Sequence, residues 1–203
     1  MELRPVMRIL EACKAIEAAR DGAVLVTTMG SMYLFDTLGV NAGRINSVPL
    51  MGGASGLGLG LALAKPERMV IVVDGDASLL MQLGSLATVA GQQPRRFAHF
   101  VVHNGSQFTG GVNLKLACED TMDFCGMARA AGYRHVVRVD SVAVLLDVVA
   151  QMHDVEGPAF YELCVEQEPP RFDAENPQAE MPDRQFSRMG AEAVALAAWL
   201  QER

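Results

Sequence analysis

Asp76 ends the run Val70-Ile-Val-Val-Asp-Gly-Asp76, and Asn104 ends the run Phe100-Val-Val-His-Asn104. Both follow a β-type apolar stretch, and they stand twenty-eight positions apart. A carboxylate and a carboxamide oxygen are ligands that a hard cation such as Mg²⁺ accepts, with phosphate and water completing its shell. In an open α/β sheet, ligands bind beyond the carboxyl ends of the strands. A helix opening at Ala77-Ser78 turns free N–H groups and a positive dipole end toward an anion. The chemistry expected at Gly75, Asp76, Ala77, Ser78 and Asn104 is therefore a metal bridged to a diphosphate.

Such residues need a sheet to hold them. β-type runs are expected at Val24–Thr28, Met69–Val73, Phe100–Val102, Val136–Val139 and Ala159–Val165. Helical patterns lie between them: a glycine-rich helix from Ala54, Leu79–Ala90, Thr121–Ala131 and Ser141–His153. Ser141 is a natural N-cap and Gly132 a natural C-terminal stop. An amphipathic helix is expected within Met1–Arg20, and loops around Gly39, Gly43 and Pro49 and from Asn104 through Gly110-Gly111. Strands alternating with helices imply an α/β fold, a three-layer parallel sheet with helices on both faces. Residues 1–165 are expected to form this domain. Residues 166–203 follow as a proline-rich acidic arm and a last helix from Ser187 to Gln201, whose partner surface the sequence does not identify.

Half of the 203 residues are hydrophobic, enough for one sizeable core. The net charge is −7 and no basic cluster exceeds Arg95-Arg96, which argues against a nucleic-acid surface. Cys13, Cys118, Cys125 and Cys164 show no metal or redox spacing. With no secretory signal, they suggest reduced thiols in a cytoplasmic protein. The apolar stretch Met51–Ala64 is shorter than the roughly twenty residues of a membrane span. Its Gly52, Gly56 and Gly60 suit close backbone packing instead.

Other motifs carry less. Gly56-Leu-Gly-Leu-Gly60 has Leu61 where a dinucleotide fingerprint requires glycine. Gly53-Ala-Ser-Gly56 has Leu57 where a hydrolase elbow requires glycine. His99, His103, His135 and His153 show no metal spacing, and only His103 adjoins a candidate ligand. Met51 reads either as a core filler or as part of a ligand loop.

The two strand ends resemble the signature of thiamine diphosphate enzymes, Gly-Asp-Gly followed after a spacer by Asn-Asn. The resemblance covers Val24–Val165. It implies that Asp76, Asn104 and the backbone oxygen of Ser106 hold Mg²⁺, which in turn holds the diphosphate of thiamine diphosphate. Ala77 replaces the second Gly of the motif and His103 the first Asn. A methyl at Ala77 would crowd a turn that needed φ > 0. Leu50-Met51-Gly52-Gly53 is similar to the loop whose bulky apolar residue bends the cofactor. Gly30, Ser31, Met51 and Gly52 are then cofactor-pocket candidates, and Gln107, Phe108 and Thr109 follow the metal loop and could cover the site.

Thr27-Thr-Met-Gly30, Met51-Gly-Gly-Ala-Ser55 and Gly75–Thr88 are most similar to the β subunit, or C-terminal half, of sulfopyruvate and phosphonopyruvate decarboxylases. An Arg-Glu pair common in that group is replaced by Met32-Tyr-Leu-Phe35, which leaves the substrate open. The resemblance implies decarboxylation of a small 2-oxo acid. It also implies a separate pyrimidine-domain (α) subunit that supplies the activating Glu, hence a hetero-oligomer. Two alternatives stay open. One is another enzyme of the family, an acetolactate synthase-like carboligase or an oxo-acid oxidoreductase β subunit. The other is a degenerate module that has kept the fold without the chemistry.

Overall fold

The computed structural model describes residues 7–48, 50–109, 112–117, 119–168 and 182–202. Six strands form one parallel sheet: β1 (Val24–Thr27), β2 (Arg44–Asn46), β3 (Val70–Gly75), β4 (Phe97–His103), β7 (His135–Val139) and β8 (Ala159–Cys164). Their order is β2-β1-β3-β4-β8-β7. Strands β1 and β3 are buried almost throughout and read as continuous apolar runs, as sheets covered on both faces do.

The helices divide between the faces. On one, α1 (Ile9–Ala18), α2 (Gly30–Thr37) and α7 (Val142–Gln151) bury Cys13, Ile16, Phe35 and Leu145 against Leu25, Ile71 and Phe100. On the other, α3 (Ala54–Ala64), α5 (Ser85–Gln92) and α6 (Phe124–Ala131) bury Leu59, Leu86, Val89 and Phe124 against Val26, Val72 and Val101. The result is the expected α/β fold with three layers. No helix among the described residues is long and apolar enough to cross a membrane.

Ser141 Oγ accepts from Val144 N at the start of α7, and Gly132 closes α6 at φ 106°. Helix α6 begins at Phe124 rather than Thr121, because Asp123 is the cap that accepts from Gly126 N at 2.7 Å. The helix expected over Leu79–Ala90 is two: α4 (Asp76–Met81) and α5. Gln82 leaves helical geometry at ψ 53°, and Gly84 starts the second helix. Strand β4 starts at Phe97, ahead of the expected Phe100, because His99 is buried in the sheet facing Tyr133.

Helix α2, strand β2 and an antiparallel hairpin of β5 (Ser106–Thr109) and β6 (Val112–Lys115) occupy stretches expected as loop. In α2, Ser31, Met32 and Phe35 are buried at helical spacing, a signal too short to stand out. Residues 1–6 of the expected N-terminal helix, Pro49, Gly110-Gly111, Cys118 and residues 169–181 of the expected arm lie outside the described residues.

Helix α8 (Pro182–Gln201) packs against edge strand β2. Leu196 is buried there, and the Trp199 ring lies where a Cβ on Gly43 would come within 2.8 Å of it. Glu192 accepts from Asn46 N and Asn46 Nδ2 at 3.1 and 3.0 Å, and Arg188 pairs with Asp36 at 2.8 Å.

Candidate functional site

From β1 the chain crosses through α2 to β2 on one side, and it later returns through α3 to β3 on the other. Such a reversal opens a crevice at the carboxyl ends of the two strands, where ligands bind in open α/β sheets. A cavity of about 380 Å³ lies there.

Its walls come from three strand ends. The end of β1 gives Thr28, Met29, Gly30 and Ser31; that of β3 gives Asp74 through Ser78; that of β4 gives Val102, Asn104 and Ser106. Met51 enters from the loop before α3, and Gln107 and Phe108 from β5. Eleven of the twelve cofactor-pocket residues expected from sequence thus line a single cavity. Gly52 stands behind the wall, where its N–H donates to Ser78 Oγ at 2.9 Å. It requires φ +81°, and a Cβ there would meet Gln82 Cβ at 2.7 Å. Thr109 is in β5, next to Phe108.

Asp76 is 2% exposed and begins α4. Its Oδ2 accepts from Asn104 N at 3.0 Å and Gly105 N at 2.8 Å, and its Oδ1 from Ala77 N at 2.7 Å. Burial raises its pKa; the N–H groups of Ala77 and Gly105 and the nearby His103 oppose that rise. Asn104 Oδ1 accepts from Ser106 N at 3.0 Å and Ser106 Oγ at 3.2 Å, which curls the loop so that both residues face the cavity. Gly105 makes the curl possible at φ +70°, where a Cβ would strike the Glu119 carboxylate.

The donor set suits the implied ion. A buried carboxylate, a carboxamide oxygen and a backbone carbonyl are hard oxygen ligands, and a cation would relieve the charge that burial disfavours at Asp76. The two departures from the motif are accommodated. Ala77 lies in the first turn of α4 and is not among the described non-glycine residues with positive φ, so its methyl crowds no turn. His103 Nδ1 lies 2.8 Å from Glu162 Oε1. Hydrogen bonds to Cys164 and Glu162 raise its pKa to about 9. Burial works to raise the Glu162 pKa, but His103, Cys125 and Arg138 together hold it below the ordinary value.

Ser31 has a structural task. Its hydroxyl lies 2.7 and 2.9 Å from the carbonyl oxygens of Thr28 and Val73, pinning the start of α2 to β3. Between them Met29 holds φ 51° and ψ −133°, a conformation that costs a non-glycine residue about 1–3 kcal/mol.

The lining also includes residues to which sequence reasoning gave no place in the cofactor pocket. Tyr33 and Met32 belong to the unforeseen α2, and Ile9 to α1. Phe186 arrives from α8, far along the chain. Met32-Tyr33 carried a signal, the departure from the Arg-Glu pair of the similar decarboxylases, and Ile9 belongs to the expected N-terminal helix; Phe186 carried none.

The family profile described as "Thiamine pyrophosphate enzyme, C-terminal TPP binding domain" matches residues 41–163. Phosphonopyruvate decarboxylase of Streptomyces viridochromogenes is 39% identical over 149 residues, covering 73% of this chain and 37% of that protein. Sulfopyruvate decarboxylase subunit beta of Methanothermobacter thermautotrophicus is 36% identical over 110 residues, covering 54% of this chain and 55% of that subunit. The match thus spans little more than a third of the first relative and about half of the second. An X-ray structure of a Mycobacterium smegmatis protein assigned as thiamin diphosphate-dependent superposes with a TM-score of 0.68 at 19% identity. It covers 79% of this chain and 32% of that one, and shows a shared fold. The profile match and the fold together establish that this chain belongs to the thiamine pyrophosphate enzymes and carries their C-terminal TPP binding domain.

Proposed function

We propose that this chain is the pyrophosphate-binding part of a thiamine diphosphate-dependent 2-oxo-acid decarboxylase of the sulfopyruvate or phosphonopyruvate type. The observation that carries this reading is the meeting of Asp76, Asn104 and Ser106 at one cavity at the strand-order reversal. Asp76, Asn104 Oδ1 and the Ser106 carbonyl would hold Mg²⁺, and through it the diphosphate. When bound, the cofactor's thiazolium ring supplies an electron sink for loss of carbon dioxide from a 2-oxo acid. Met51 would support the cofactor, with Gly52 keeping its loop against Ser78. Gln107 and Phe108 form the wall that keeps water from the reacting atoms.

The pyrimidine end of the cofactor, and the Glu that activates it, belong in this reading to a separate α subunit. The exposed apolar residues support such a partner. Leu50, Met81, Val112, Leu114, Phe186 and Met189 are each at least 41% exposed. Each sits on, or pairs with, a segment that lines the cavity. Exposed apolar residues on segments that also line the cavity suit a docking subunit.

The test is purification of the native complex with identification of its partner and bound cofactor by mass spectrometry. A pyrimidine-domain partner with thiamine diphosphate is expected; a homo-oligomer that takes up neither cofactor nor Mg²⁺ would refute the reading. In that complex Asp76→Ala should abolish Mg²⁺-dependent cofactor binding in calorimetry, because it removes the charged metal ligand.

A further inference from the structure

His103 occupies the place of the first Asn in the family motif, and its surroundings indicate what it contributes. Strands β4 and β8 pair in register, Val101 with Glu162 and His103 with Cys164. Side chains two apart share a face of the sheet, so His103 and Glu162 point to the same side. Glu162 is fully buried. Its Oε1 meets His103 Nδ1 at 2.8 Å and Arg138 Nη1 at 3.4 Å. Its Oε2 accepts from Cys125 N, in the first turn of α6, at 3.3 Å. The carboxylate is therefore fixed from β7, from α6 and from β4. The His103 ring is held edge-on against Phe124, with centroids 5.0 Å apart at 77°. Its backbone oxygen accepts from Val165 N at 3.1 Å.

The next two N–H groups along the chain, those of Asn104 and Gly105, are the ones that grip Asp76 Oδ2. We propose that Glu162 and His103 form a positioning pair that sets the loop of Asn104 against Asp76, taking the place of the motif's first Asn. The inference rests on the metal and cofactor reading above. Neither residue is among those lining the cavity, so the pair acts through the backbone that follows it.

The same side chains could instead be ligands. The ligand atoms of His103, Glu162 and Cys164 all lie within 4.8 Å of one another. Glu162 Oε1 is already engaged by His103 and has the Arg138 cation beside it, which favours a hydrogen-bonded pair over a soft-metal site.

The experiment measures thiamine diphosphate affinity of the native complex by calorimetry at several Mg²⁺ concentrations, with melting followed alongside. His103→Ala and Glu162→Leu should each weaken Mg²⁺-dependent binding by about 10-fold, the lower end for loss of an outer partner of a metal site. The double variant should lose no more than either single one, since both break one contact. His103→Asn, which keeps a donor near the position of Nδ1, should retain most of the affinity. If Glu162→Leu fails to fold, Glu162→Gln replaces it, with a smaller loss in the same direction.

Variants that melt earlier but bind cofactor and Mg²⁺ as the wild type does would overturn the positioning role. So would additive losses, or Zn²⁺ uptake that Cys164→Ser removes. A wild-type complex that binds no thiamine diphosphate would instead refute the cofactor reading itself.

Discussion

That Asp76 and Asn104 would meet at one cavity was legible in the sequence, because each follows an apolar run that ends a strand. The partner of His103 was not legible. Glu162 stands 59 positions away, and only the pairing of β4 with β8 brings the two together. The pair makes a prediction for the metal-free protein. The folded-state pKa of His103 is raised from 6.5 to about 9, so its charged form is favoured by folding. The stabilisation is then fully present below pH 6.5 and is lost as pH rises through about 9. Urea melts between these values should show stability falling with pH, and His103→Gln should flatten that fall. An equally steep fall in His103→Gln would assign the effect to other groups.

Most elements with a long apolar period were read in kind, the helix expected over Leu79–Ala90 excepted, and those fixed by a few tertiary contacts were not. Strand β2 has three residues, and α2 shows its period over a single turn. The break between α4 and α5 falls at Gln82–Gly84, which the apolar period over Leu79–Ala90 did not mark. Helix α3 shows how much of its sequence answers to the sheet beneath it. Gly58 is buried, and a Cβ there would come within 2.5 Å of Val72 Cγ2 and 3.2 Å of the Phe97 ring. Gly56 and Gly60, on the same helix, have open space at that position. Gly58→Ala should therefore cost about 1–3 kcal/mol by overpacking. Gly60→Ala should gain up to about 1 kcal/mol from helix propensity. Chemical denaturation of the two variants checks the contrast, and equal effects would mean that α3 does not sit close on β3.

For the molecule as a whole, the docking of α8 is the part least foreseen, although the helix itself was expected. Its apolar residues were visible in sequence; the surface they cover, and the arrival of Phe186 at the cavity, were not. The chain has one tryptophan, so fluorescence reports directly on this docking. Gly43 adopts φ +64° beneath the Trp199 ring, and Gly43→Ala should displace the ring and shift its emission to the red. Unchanged emission would place Trp199 elsewhere. The Glu192 contact has a further consequence. Strand β2 is the last of its sheet, and an edge strand offers unpaired N–H groups to any other extended chain. Glu192 already occupies the N–H of Asn46, and the body of α8 lies against the same strand. The helix that brings Phe186 to the cavity thus also covers this edge. A protein cut before residue 182 should form intermolecular β-structure, detectable by thioflavin fluorescence, well before it loses its fold.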